Sequence, residues 1–157
     1  MEATQTIEPR IPNIAGTVPE ALQALLALAK ASAKGGIPPT THKLVHLRAS
    51  QINGCSFCVD MHSRELRDAG EPDERIWGVA GWRESPYFDD AERAALALAE
   101  AGTRLSDRED PVPDEVWKEA ARHYDEAELG SLVLSIASIN AWNRLNVITR
   151  QPAGSWS

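Results

Sequence analysis

The sequence predicts an all-α domain, and three observations carry that expectation. Only 6% of the 157 residues are aromatic while Ala and Leu abound, a balance that favours helix over strand. Apolar residues recur at helical spacing along most of the chain, and no segment of convincing length alternates with the period of a strand. Pro and Gly punctuate the chain so as to leave about six to seven helices, with no internal repeat and no low-complexity tract. The length fits a single domain over 1–157 with a real core.

Residues 1–18 hold Pro9, Pro12 and Gly16 among mixed polar and apolar residues, which predicts an extended arm that could pack on a neighbour. Thr17-Val18-Pro19-Glu20 opens the first helix, with Thr17 or Val18 at the cap and proline in the first turn. Leu22, Leu25, Leu26, Leu28 and Ala29 form its apolar face, and Gly35-Gly36 stops it. Pro38-Pro39-Thr40-Thr41 starts the next helix. Leu44, Val45, Leu47, Ala49 and Ile52 give its buried side, and Asn53-Gly54 breaks it. A third helix begins at Cys55-Ser56-Phe57-Cys58 and runs to about Ala69, where Gly70 and Pro72 end it. Asp73 to Trp82 reads as a short helix weakened by Gly78 and Gly81, and Ser85-Pro86-Tyr87-Phe88 as a turn.

Asp89-Asp90 begins a helix through Leu105, with its acids where the helix dipole favours them. Residues 106–112 form an acidic, solvated loop. Pro113 to His123 is another helix. The last begins near Asp125 and reaches about Thr149. Leu129, Leu132, Val133, Ile136, Ile139, Asn140, Asn143 and Val147 mark one face, with Ala137, Ala141 and Trp142 on the other. A helix apolar over so much of its circumference belongs in a core or an interface. Residues 150–157 are a tail.

A net charge of -7 argues against nucleic acid or an anionic membrane as partner. No apolar run approaches the roughly 20 residues that cross a bilayer. The N-terminus lacks the basic and apolar regions of a signal peptide, so a cytoplasmic protein is expected. In that setting two cysteines point to redox or metal chemistry more than to a structural staple.

Those cysteines, Cys55 and Cys58, share one helical turn, and His62 follows Cys58 one turn later on the same face. Free amides at the helix start favour a thiolate, and a second thiol three residues away can close a disulfide. A metal is the alternative. Cys55, Cys58 and His62 supply at most three ligands from a single helix, short of a structural zinc set, so neither metal nor cofactor is expected. His42, His46 and His123 are expected at the surface. Trp77, Trp82, Trp117 and Trp142 are expected as core or interface aromatics.

The stretch SQINGCSFCVDMH resembles the AhpD-like alkylhydroperoxidase and carboxymuconolactone decarboxylase superfamily. The similarity continues through Ala69-Gly70-Glu71, Trp82-Arg83-Glu84, ERAALALAEA and IASINAWNRLNV, and covers most of 38–148. The resemblance implies an AhpD-like helical domain with the Cys-x-x-Cys at the N-terminus of a central helix, assembled as a homotrimer or homohexamer. It implies a thiol-dependent peroxidase in which Cys55 and Cys58 cycle between dithiol and disulfide while His62 moves protons, with a peroxide as substrate and a dithiol as electron donor. Cys58 is assigned the attack and Cys55 the resolving, donor-facing role. The alternatives are a lactone enzyme of the carboxymuconolactone decarboxylase kind and a non-catalytic homo-oligomeric stress or binding protein.

One departure from that pattern stands out. Twelve residues before Cys55 the redox branch carries glutamate; this chain has Lys43, and no Asp or Glu occurs from Ala21 to Val59. An inward Lys43 would favour a thiolate by charge but could not take up its proton. His46, one turn on, is the candidate to take over as base. If the relay is lost, Lys43→Glu restores peroxidase activity.

Overall fold

The computed structural model describes residues 5–155, and these are helical, with no strand among them. Eight α-helices follow in order. They are α1 (Ile14–Thr17), α2 (Pro19–Ser32), α3 (Pro39–Asn53), α4 (Ser56–Asp68), α5 (Asp73–Gly78), α6 (Asp90–Thr103), α7 (Asp114–His123) and α8 (Glu126–Thr149). A 3-10 turn over Val79–Gly81 extends α5. The first four residues of the expected arm and the last two of the expected tail lie outside the described residues.

The helix starts follow from their caps. Asp89 and Asp125 each accept the backbone N–H three residues on, while Glu92 and Glu128 return the bond to the cap's own N–H. Each acid thus satisfies an otherwise orphaned donor. Pro19 and Pro39 occupy first turns, where a missing N–H costs nothing. Gly54 ends α3 in the left-handed conformation, φ +66°, and so allows the chain to turn at once into α4.

The central element is α3, which packs against α4, α6 and α8. On one side Val45 joins Leu98, Ala99, Leu129, Leu132 and Ile136. On the other, Leu44 and Leu47 join Leu66, Ile76, Val79, Trp82, Phe88 and Leu96. The carboxylate of Glu100 on α6 ties these layers: Arg48 on α3 meets it at 2.5 Å, Trp82 Nε1–H donates at 3.0 Å, and Arg83 closes the cluster. Gly35 lets the α2–α3 loop lie against α8, since a Cβ there would stand 2.2 Å from that of Ser131.

Three expectations need correction. The arm is not extended throughout: Asn13 caps a single turn, α1, and the segment before it is tied to its own α8, through Arg10 N–H to Thr149 O at 2.7 Å. The helix expected to reach Leu105 stops at Thr103, and Leu105 is exposed. The expected face of α8 is buried at Leu129, Leu132, Ile136, Ile139 and Asn143 but not at Val133 and Val147. Its buried side carries Ser131, Ser135, Ser138, Asn143, Asn146 and Thr149 beside Leu132, Ile136 and Ile139, while Val133 and Val147 face outward. The physical reason is that α8 faces polar side chains on α3. Asn53 donates to Asn143 at 2.9 Å and Asn140 at 3.0 Å, and Asn143 donates to Ser50 at 3.0 Å. Buried polar groups on one helix are satisfied by those on the other. No helix of the described residues is long and apolar enough to cross a membrane.

Candidate active site

Cys55 is the N-cap of α4, and Cys58 lies in its first turn. The two are joined as a disulfide with Cα atoms 5.3 Å apart. Cys55 Sγ accepts the Cys58 N–H at 3.3 Å. Across the interface Asn146 of α8 donates its Nδ2–H to Cys58 Sγ at 3.3 Å. Both cysteines are 1% exposed, because α3 and α8 close over the start of α4.

His62 is buried one turn beyond Cys58. Its Nδ1 lies 2.9 Å from Glu65 Oε2, one further turn along. That hydrogen bond holds the Glu65 carboxyl below its ordinary range, against the opposing pull of partial burial; the His62 and Lys43 charges act in the same direction. An ionised carboxylate only accepts, so Nδ1 carries the proton of the bond, and a neutral form of the ring has its lone pair on Nε2. That Nε2 is buried with no partner among the described residues.

Lys43 points to the same place. Its ammonium donates to the Glu65 carbonyl oxygen at 3.3 Å. The chain therefore has a carboxylate at the site after all. It comes from the cysteine helix itself, where the i,i+3 spacing from His62 was readable, and not from the position Lys43 occupies. Glu65 and Asn146 are the two site residues that the sequence reading passed over.

The surface expectation fails for His42, which is buried, holds for His123, and finds His46 half-buried. His42 and His46 are an i,i+4 pair on the face of α3 that meets α8. Ser135 Oγ bridges them, 2.9 Å from His42 Nδ1 and 2.8 Å from His46 Nε2. The His46 ring also packs on His62, with centroids 5.0 Å apart. Burial, then the neighbouring His62 and His42, push the His46 pKa down to about 3. Burial lowers that of His42 as well. His46 is thus a neutral imidazole at physiological pH. Trp82 is in the core as expected, whereas Trp77 is 68% exposed.

These groups line a cavity of about 600 Å³. Cys58, His62, His46, His42, Lys43 and Glu65 gather its polar side. Leu26, Ile37, Phe57, Met61, Ile139 and Trp142 make the rest of its wall apolar. No group of three or more His, Cys, Asp or Glu among the described residues is arranged to hold a metal ion. Chemically, the site can hold a thiolate at Cys58 beside a buried base and a hydrogen-bond donor, with a second sulfur within bonding reach.

The model of the carboxymuconolactone decarboxylase family matches residues 19–101. The uncharacterized protein YdfG of Bacillus subtilis is 37% identical over 137 residues, which cover 87% of this chain and 92% of that protein. Over 41 residues the chain is 46% identical to the alkyl hydroperoxide reductase AhpD of Methylocella silvestris, covering 26% of this chain and 23% of that protein. Among solved structures, ATU0492 of Agrobacterium tumefaciens, a protein of unknown function offered as an antioxidant defence protein AhpD, superposes with a TM-score of 0.87. It is 37% identical, over 93% of this chain and 98% of that one. The debrominase Bmp8, in complex with 2,3,4-tribromopyrrole, shares the fold with a TM-score of 0.81 at 22% identity, over 95% of this chain and 79% of that one.

Proposed function

We propose that this chain, which belongs to the carboxymuconolactone decarboxylase family, is a thiol-dependent peroxidase of the AhpD kind. The observation that carries the reading is that Cys58 of the Cys55–Cys58 disulfide and His62, whose buried Nε2 has no partner among the described residues, line the same apolar cavity.

The mechanism begins from the dithiol. His62 Nε2 takes the Cys58 proton, and Glu65 stabilises the imidazolium so formed. Asn146 donates to the thiolate. The thiolate attacks the terminal oxygen of a hydroperoxide, the O–O bond breaks, and the departing alkoxide takes the proton from His62. Cys58 is left as sulfenic acid. The Cys55 sulfur then attacks Cys58, releases water and forms the disulfide. Two electrons have passed from the cysteine pair to the peroxide, and a dithiol donor returns them. Lys43 and neutral His46 act as neighbours in this scheme, Lys43 by holding Glu65 and His46 by packing on His62. No metal or cofactor enters it.

The test is sulfenic acid trapping in single Cys→Ser variants exposed to cumene hydroperoxide. The expected result is trapping on Cys58 in the Cys55→Ser variant. Trapping only on Cys55 in the Cys58→Ser variant reverses the assignment. A lactone enzyme on this fold needs no cysteine pair, so lactone turnover that survives the double Cys→Ser substitution would replace the peroxidase reading. Self-association belongs to the same proposal. Leu105, Trp117 and Val133 share a shallow hollow and are 57%, 43% and 43% exposed, an apolar face suited to a second copy of the chain.

A further inference from the structure

Two cavities reach the disulfide, and each takes a different sulfur. The large apolar one is walled by Cys58 and not by Cys55. A second, of about 370 Å³, is walled by Cys55 and not by Cys58. Its other walls are Gly54 and Ser56 from the turn into α4, and Val147, Arg150 and Gln151 from the end of α8. Asn146, the residue that donates to Cys58, contributes to both walls.

Taking the peroxidase reading as premise, we infer that the second cavity is where the electron donor meets the disulfide, and that it suits a thiol carrying negative charge near its sulfur. A donor thiolate in this cavity meets Cys55 Sγ. Attack forms a donor–Cys55 disulfide and breaks the S–S bond, and the electron pair leaves on Cys58. That sulfur is prepared for it: Asn146 donates to it at 3.3 Å, and His62 one turn away can supply a proton. A second donor thiolate then attacks the donor sulfur and expels Cys55 as thiolate. The donor leaves as a disulfide, two electrons poorer. Peroxide can occupy the apolar cavity without meeting the donor.

The charge preference rests on Arg150. Among the described residues it is the one charged residue in the wall of the second cavity, and no Asp or Glu of theirs stands there, in a chain of net charge -7. Its backbone is fixed as the C-cap of α8, with N–H bonded to Asn146 O and Val147 O. Its guanidinium is exposed and makes no hydrogen bond or ion pair among the described residues. The apolar cavity, by contrast, has a carboxylate in its wall, Glu65, together with Lys43, whose ammonium donates to the Glu65 backbone carbonyl oxygen.

The test separates this inference from its premise by making the disulfide with diamide, without peroxide. The oxidised chain is then reduced at low salt by mercaptoacetate, 2-mercaptoethanol or cysteamine at equal thiolate concentration. Disulfide loss is followed by acid quench and mass measurement. The expected order is mercaptoacetate first, by about five-fold over 2-mercaptoethanol, and cysteamine last, with the spread shrinking in high salt. Arg150→Glu inverts the order and Arg150→Lys keeps it. In the Cys58→Ser variant, the anionic aromatic disulfide 5,5′-dithiobis(2-nitrobenzoate) labels Cys55 faster than it labels Cys58 in the Cys55→Ser variant. The inference is overturned if rates follow thiol reactivity alone, if Arg150→Glu leaves the order unchanged, or if Cys58 is labelled faster. Failure of the premise shows separately, as reduced wild-type chain that does not consume cumene hydroperoxide.

Discussion

Glutamine at position 65 would keep the shape of the side chain and remove its charge. The imidazolium at His62 would lose the carboxylate that stabilises it, and the tautomer with its lone pair on Nε2 would no longer be enforced. Glu65→Gln should therefore slow peroxide oxidation of the dithiol by roughly ten-fold, about 1.4 kcal/mol of barrier, in stopped-flow measurements. An unchanged rate would remove Glu65 from the mechanism. Its presence also changes what Lys43→Glu is expected to do. From the sequence alone that change restores a relay. With Glu65 in place it sets two carboxylates side by side, and oxidation should slow. His46 gives a second prediction at this scale. Its pKa is about 3 in the folded chain against 6.5 for a free imidazole, so between those values the unfolded chain binds more protons. Stability from this group is complete above about pH 6.5 and is lost as pH falls toward 3. Urea midpoints should drop from pH 7 to pH 5, and His46→Gln should flatten that slope. A slope unchanged by the substitution would mean that other groups set it.

At the scale of elements, the junction of α2, α3 and α8 depends on a missing side chain. A Cβ at Gly35 would also stand 2.8 Å from the Ala127 carbonyl oxygen, so backbone would have to shift. Gly35→Ala should cost about 1–3 kcal/mol in urea unfolding, and an unchanged midpoint would show that the loop can move away. This junction also shows what could be read beforehand. Most helix starts were legible, because proline, glycine and aspartate caps act within a few residues of themselves; the single turn α1 and the end of α6 were not. Cys55, Cys58 and His62 were legible because one turn of one helix brings them together. His42 and His46 were not, because a histidine in a polar stretch looks solvated until Ser135, 89 residues from His46 in sequence, is seen between the two rings. Asn146 escaped for the same reason: its partner Cys58 lies on another helix. Val133 and Val147 of α8 were misread because serines and asparagines share its buried side with Leu132, Ile136 and Ile139, so apolar character alone did not mark the face.

For the whole molecule, the helical frame holds one disulfide between two cavities. The apolar cavity brings Cys58 next to His62, and the smaller one reaches Cys55 near Arg150. The exposed Leu105, Trp117 and Val133 predict that native mass spectrometry finds more than one copy per particle, and that Val133→Lys lowers that number. A monomer at micromolar concentration would remove that face from the account. The central claim is that the thiols exchange electrons with an oxidant under the control of their surroundings. Stopped-flow oxidation of the fully reduced chain by cumene hydroperoxide tests it most directly. The account predicts that about one equivalent of peroxide removes both thiols together, at least about thirty-fold faster than it oxidises free cysteine at neutral pH, where only a few per cent is thiolate. Thiols that survive the peroxide, or that react no faster than free cysteine, would contradict it.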